Sequence, residues 1–161
     1  MNDVTLFHTH ATDMPEEHKN EHPSYEYYRR NLLPRGLSKE SAVSLYELPL
    51  GKSAFPYHYH LKNEESYYIL KGTGKIKTPQ GELIVTEGDF IFFPANANGA
   101  HKMTNTSDTE SLIYLDFDTI HDVEVAVYPD TNKIGIFTDT IRQLHKRDES
   151  VPYYEGEEVS Q

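Results

Sequence analysis

Two histidines and a glutamate fall close together between Gly51 and Gly72, in GKSAFPYHYHLKNEESYYILKG: His58, His60 and Glu65. Side chains two apart on an extended strand leave the same face, so both imidazoles point one way. A short turn at Leu61-Lys62-Asn63-Glu64 then brings Glu65 back beside them on the next strand. Imidazole nitrogens and a carboxylate oxygen converging from adjacent strands suit one divalent transition metal. Zn, Fe, Mn, Ni, Co and Cu all fit such donors, and availability rather than raw affinity decides between them. A fourth ligand has a candidate downstream in His101, within GDFIFFPANANGAHKMTN. Three imidazoles and a carboxylate leave one or two coordination positions open, as Lewis-acid or oxygen chemistry requires.

The elements that must position these residues read as strands and turns. Ala42–Leu48 alternates and is broken at Pro49-Leu50-Gly51, and Phe55–His60 is the ligand strand. Ser66–Lys71 carries Tyr67, Tyr68, Ile69 and Leu70, β-formers of a buried strand. Lys75–Thr78 and Glu82–Thr86 flank a Pro79-Gln80-Gly81 turn, and Phe90–Phe93, His101–Asn105, Ser111–Asp118 and Val123–Tyr128 follow. Many short strands with glycine-rich turns and little helical period predict an all-β sandwich or barrel. Parity from Glu65 puts Tyr67 and Ile69 on the ligand side, and parity from His101 puts Met103 and Asn105 there. Tyr114 and Asp116 share one face of their strand. Tyr67 and Tyr114 are the candidate catalytic residues, able to donate a proton or orient a substrate. Packing of the barrel wall is the competing role for each, in a chain with 12 tyrosines.

The two ligand stretches together resemble the paired motifs of the cupin superfamily. The first matches at Gly51, His58, His60, Glu65 and Gly72, with one extra residue after the first glycine. The second matches at Gly88, Pro94, His101 and Asn105. It departs in having Asn96 where glycine is usual, and a loop from Pro94 to His101 two residues longer. Asn105-Thr106-Ser107-Asp108 and Tyr128-Pro129-Asp130 extend the likeness to a bacterial subgroup of single-domain cupins, over residues 42 to about 137. The resemblance implies a double-stranded β-helix, the jelly-roll barrel, with room for short helical segments, and a metal held by His58, His60, Glu65 and His101. It also implies a homodimer.

Composition narrows the function classes. The chain has 161 residues and a formal net charge of −11, one domain with an acidic surface. That balance argues against nucleic acid or an anionic membrane as partner. It has no cysteine, hence neither a disulfide framework nor a thiol nucleophile. No apolar run approaches the roughly 18–20 residues of a membrane span. The N-terminus lacks the basic start and apolar core of a signal peptide, so the cytoplasm is the expected location.

We divide the chain into an N-terminal arm (1–41), the barrel (42–137) and a C-terminal extension (138–161). His8 and His10 repeat the His-x-His spacing with no carboxylate or glycine frame after them, and read as surface histidines. The segment 25–33, YEYYRRNLL, is either a short helix or an extended arm. Such an arm covers a sheet edge of its own or of a neighbouring subunit. The C-terminal segment ends free or docks through Tyr153 and Tyr154. The leading function is a metal-dependent enzyme, of oxygenase or isomerase and epimerase type, acting on a small oxygenated metabolite. The alternative is a module that binds or senses a small molecule without turning it over.

Overall fold

A computed structural model describes residues 6–157. The strands, in chain order, are β1 (Glu16–His22), β2 (Tyr25–Asn31), β3 (Ser41–Leu48), β4 (Tyr59–His60), β5 (Glu65–Lys71), β6 (Thr73–Thr78) and β7 (Gly81–Thr86). They continue as β8 (Phe90–Phe93), β9 (Lys102–Asn105), β10 (Leu112–Thr119), β11 (Glu124–Tyr128), β12 (Lys133–Phe137) and β13 (Arg142–Lys146). The only helical pieces among the described residues are three single 3-10 turns. The fold is all-β, as expected.

One wall of the barrel is a six-stranded antiparallel sheet in the order β1-β2-β3-β10-β5-β8. The other wall is a four-stranded sheet, β13-β12-β11-β4, beside a three-stranded sheet, β7-β6-β9. Gly72 lets the chain pass from the first wall to the second, between β5 and β6. Its φ of +89° favours glycine, and a Cβ there would lie 2.8 Å from the backbone oxygen of Ser111. Tyr46, Leu48, Tyr67, Ile69, Ile76 and Leu112 form the centre of the core between the walls. No described helix is long and apolar enough to cross a membrane.

Three readings of the sequence need adjustment. The ligand strand is shorter than Phe55–His60, because Pro56 has no N–H to give to a ladder. His58 instead pairs alone with His101, each backbone N–H donating to the other's carbonyl at 3.1 and 2.8 Å. Residues 25–31 are a strand, and the β1–β2 hairpin covers the β3 edge of its own sheet. The new edge, β1, reads EEHKNEH and is exposed throughout, a charged border that resists pairing with other chains. Finally, β5 is buried on one face only. Tyr67 and Ile69 point inward, whereas Tyr68 and Leu70 face out at 39% exposure, because none of the described residues covers that side.

At the chain ends, His10 caps the turn Ala11–Asp13 by accepting from the Thr12 N–H, a structural task. His18 stacks on Tyr28 with ring centroids 4.2 Å apart. Strand β13 extends the sheet beyond residue 137, while Tyr153 and Tyr154 pack edge to face on each other and stay exposed.

Candidate metal centre

The side chains of His58, Glu65 and His101 are buried, and their ligand atoms lie within 4.8 Å of one another. Three backbone segments deliver them: the bridge at His58, the first residue of β5, and the residue before β9. The lengthened loop before His101 is taken up by a 3-10 turn, Ala97–Gly99. Asn96 starts it by accepting from the Asn98 N–H at 2.9 Å. Gly99 closes it against Pro94, where a Cβ would meet the Pro94 carbonyl oxygen at 2.1 Å. The two extra residues therefore do not carry His101 away from the centre.

Backbone carbonyls fix which nitrogens face inward. Nδ1 of His58 donates to the Pro56 oxygen at 2.8 Å, and Nδ1 of His101 donates to the Gly99 oxygen at 2.9 Å. A carbonyl only accepts, so each Nδ1 carries the hydrogen and each Nε2 presents its lone pair. Nε2 of His101 lies 3.2 Å from Oε2 of Glu65, a buried oxygen without a hydrogen-bond partner among the described residues. Two lone pairs at that distance need a proton or a cation between them. The residues present therefore fit a divalent cation, and outer partners that set a histidine tautomer are what metal ligands use.

His60 stands at the edge of this cluster. Its ring lies 5.0 Å from that of His58, and Nε2 is 3.6 Å from Oε2 of Glu65. Its Nδ1 is 3.6 Å from Glu124. Sequence reading passed over Glu124, whose carboxylate accepts from the backbone N–H of Leu61 at 3.0 Å and of Asn63 at 2.6 Å. It thereby folds the turn between the His-x-His pair and Glu65. A lone acid at the start of a late strand carries no sequence signal for such a task.

Electrostatics follow from burial. Burial and the neighbouring His101 hold the His58 pKa down to about 3, keeping it neutral. Burial opposes the charge on Glu65, but the imidazoles of His101, His58 and His60 keep its pKa well below the usual carboxylate range. His60 goes the other way: burial opposes its charged form, but Glu124 and Glu65 raise its pKa. Beyond Glu65 lie Asp116 and Asp118, whose oxygens are within 4.8 Å of its own. Burial, then the charge of Glu65, pushes Asp118 up to about 8 and Asp116 well above the carboxylate range. Sequence parity puts Asp116 beside Tyr114 without saying which face they share; it is the inner one.

Both candidate tyrosines are interior. Tyr67 donates its hydroxyl to Oε1 of Glu65 at 2.8 Å and lies 3.2 Å from Nε2 of His101. Tyr114 is fully buried, with no partner for its hydroxyl among the described residues. Met103 and Asn105 also point inward, but Asn105 donates to the Leu48 and Glu110 carbonyls and serves the backbone.

Residues 44–118 match the family model for the cupin domain. Among solved structures, a proposed sugar phosphate isomerase from Acidithiobacillus ferrooxidans is similar at a TM-score of 0.77 and 25% identity, covering 92% of this chain and 96% of that one. A sugar phosphate isomerase of the cupin superfamily from Silicibacter pomeroyi gives 0.78 and 21%, over 89% and 95% of the two chains. A polyketide cyclase from Streptomyces resistomycificus gives 0.62 and 21%, over 73% and 81%. No curated protein matches by sequence.

Proposed function

We propose that this chain, whose residues 44–118 match the cupin-domain model, is a metal-dependent enzyme of the isomerase or epimerase kind, acting on a small oxygenated metabolite. His58, Glu65 and His101 would hold the metal, with His60 completing the set from its edge position. The observation that carries the reading is the pair of carbonyl-fixed imidazoles, whose free lone pairs meet the unpartnered Oε2 of Glu65. A metal bound there supplies a Lewis acid that polarises a substrate oxygen.

The protein's own groups favour proton transfer over simple binding. Buried acids with raised pKa values beside a metal centre suit general acid–base work near neutral pH. Asp118, pushed up to about 8, and Asp116 are those acids. Tyr67 holds Glu65 in place. The likeness at 25% identity to a proposed sugar phosphate isomerase points the same way. Elemental analysis of protein purified without a nickel column tests the metal. Near-stoichiometric transition metal, removed by EDTA and absent from His58→Ala, is expected. Solvent-deuterium exchange into aldose and ketose phosphates, followed by NMR, tests the chemistry. Tight binding with no exchange would replace the enzyme by a binding module.

We also infer a homodimer through the outer face of the six-stranded sheet. Paired positions there carry Leu45, Leu115, Phe117, Tyr68, Phe90 and Phe92. On a chain of net charge −11, this patch is apolar, and the charges that border it, Glu47 on β3 and Arg30 beside Leu45, are of opposite sign.

A further inference from the structure

The inner face of the six-stranded sheet carries buried polar groups beside its apolar core residues. Strand register places Arg29, Tyr46 and Tyr114 in one row across β2, β3 and β10. The next row holds Asn31, Ser44, Asp116 and Tyr67, and the last pairs Asp118 with Glu65. Buried polar groups cost free energy unless they are hydrogen-bonded. Some of these are: Ser44 donates to Asn31 at 3.1 Å, and Arg29 donates to the Tyr46 hydroxyl at 3.4 Å and to Glu17.

The exceptions gather in this one region. Among the described residues, the buried side-chain atoms without a partner in the protein are Arg29 Nε, His60 Nδ1, Glu65 Oε2, Tyr114 OH and Asp116 Oδ1. The metal centre accounts for Glu65, and His60 Nδ1 faces Glu124 at 3.6 Å. Arg29, Tyr114 and Asp116 remain, and Tyr114 and Asp116 are 0% and 3% exposed. Asp116 oxygens approach Glu65, the Tyr114 ring lies 4.6 Å from Tyr67, and Arg29 joins them through Tyr46, which stacks on Tyr114 at 5.3 Å.

We propose that Arg29, Tyr114 and Asp116 form the substrate wall of the barrel and select a small polyhydroxylated anion, a sugar acid or a sugar phosphate. The guanidinium of Arg29 and the phenol of Tyr114 donate to the anionic end or to ring oxygens, and Asp116 takes a hydroxyl. Successive inward rows on a strand are about 7 Å apart, so the wall reaches roughly 7–13 Å from the Glu65 row. That length matches one small sugar acid or phosphate. Arg29 lies outside the matched cupin segment, so the β1–β2 hairpin becomes part of the binding site and not only an edge cover. The inference rests on the metal-enzyme reading, because the substrate must reach the centre.

The test is calorimetric titration of the metal-loaded protein with gluconate, glucose 6-phosphate and glucose. At least one anion should bind about tenfold or more tightly than glucose, and which of them does so identifies the acidic group. Tyr114→Phe keeps the ring and removes a hydroxyl without a partner. It should melt like wild type and bind the preferred anion roughly tenfold more weakly, since a lost donor to a charged group is worth that much or more. Arg29→Lys, which keeps the charge but not the planar fork, should lose preference for the anion over glucose. Metal content is measured on every sample. Absent metal refutes the metal-enzyme reading. Full metal content overturns the substrate wall if neither anion binds, if glucose binds equally well, or if Tyr114→Phe binds like wild type.

Discussion

Tyr67→Phe isolates one hydroxyl at the heart of the centre. The ring contacts survive, since Phe93 packs edge-on at 4.9 Å and Tyr114 lies at 4.6 Å. What is lost is the donor to Oε1 of Glu65 at 2.8 Å, in a side chain only 1% exposed. A hydrogen bond to a charged group contributes about 1.5–3 kcal/mol. The upper end applies, because Oε2 already lacks a partner and the substitution would leave both oxygens of Glu65 bare. At about 2–4 °C per kcal/mol for a domain of this size, the metal-free variant should melt roughly 6–12 °C lower. Loss of a group that orients a ligand carboxylate should weaken metal binding by about 10–100-fold. Urea unfolding of metal-free protein gives the first number, and competition with a chromophoric chelator gives the second. Tyr114→Phe, whose hydroxyl has no protein partner, is the stability control and should stay within about 0.5 kcal/mol of wild type. Activity at saturating metal then separates two roles for Tyr67. Restored turnover makes it a positioning residue, and a persistent loss makes it an acid that acts on substrate. Wild-type stability together with wild-type metal affinity would refute the claim that this hydroxyl holds Glu65.

Three further outcomes are expected. His58 is held neutral, its pKa pulled down to about 3 by burial and by His101, while an unfolded histidine titrates near about 6.5. The unfolded chain therefore binds more protons between those values. The contribution of His58 is whole above about pH 6.5 and is lost as pH falls toward 3; urea midpoints that decline equally in wild type and His58→Asn would contradict this. Gly99→Ala puts a Cβ 2.1 Å from the Pro94 oxygen, which is backbone and cannot turn aside. The loop must shift, carrying the carbonyl that fixes His101, so metal affinity should fall by about tenfold or more, and an unchanged chelator competition would oppose that. Phe90→Asp with Phe92→Asp places charges on the outer sheet face and should yield monomers by analytical ultracentrifugation, where a persisting dimer would move the interface elsewhere.

The fold was legible because its signals are local. Strand alternation and glycine turns located most barrel strands within a residue or two, and parity correctly turned Tyr67, Ile69, Met103 and Asn105 inward. The candidate ligands His58, Glu65 and His101, which the fold brings together, were legible for the same reason, lying in short stretches with fixed spacing. What stayed hidden depends on contacts distant in sequence. YEYYRRNLL alternates in no clear period, and only pairing with β3 makes Tyr25–Asn31 a strand. Glu124 matters through N–H groups some sixty residues earlier in the chain. Asp116 and Asp118 looked like strand polar residues, and their raised pKa values arise from burial and from Glu65 on the neighbouring strand. Sequence reading found no acid or base beside the ligands because that pair is made by register.

The same register bears on how metal and substrate are coupled. Glu65 touches both systems: one oxygen faces the imidazoles, and the carboxyl as a whole approaches Asp116 and Asp118. A cation drawing on Glu65 reduces the negative charge that, after burial, keeps those two acids protonated. Filling the centre therefore makes Asp116 and Asp118 easier to ionise, and metal uptake releases protons beyond any displaced from the ligands. Acids that begin protonated and are freed by the metal are available as bases only when the centre is loaded. Arg29, held by the hairpin against Tyr46, supplies positive charge that acts in the same direction, lowering both acids. Catalytic readiness would then depend on metal and hairpin together, and the substrate wall has its physical sense as the place where both act on one bound molecule.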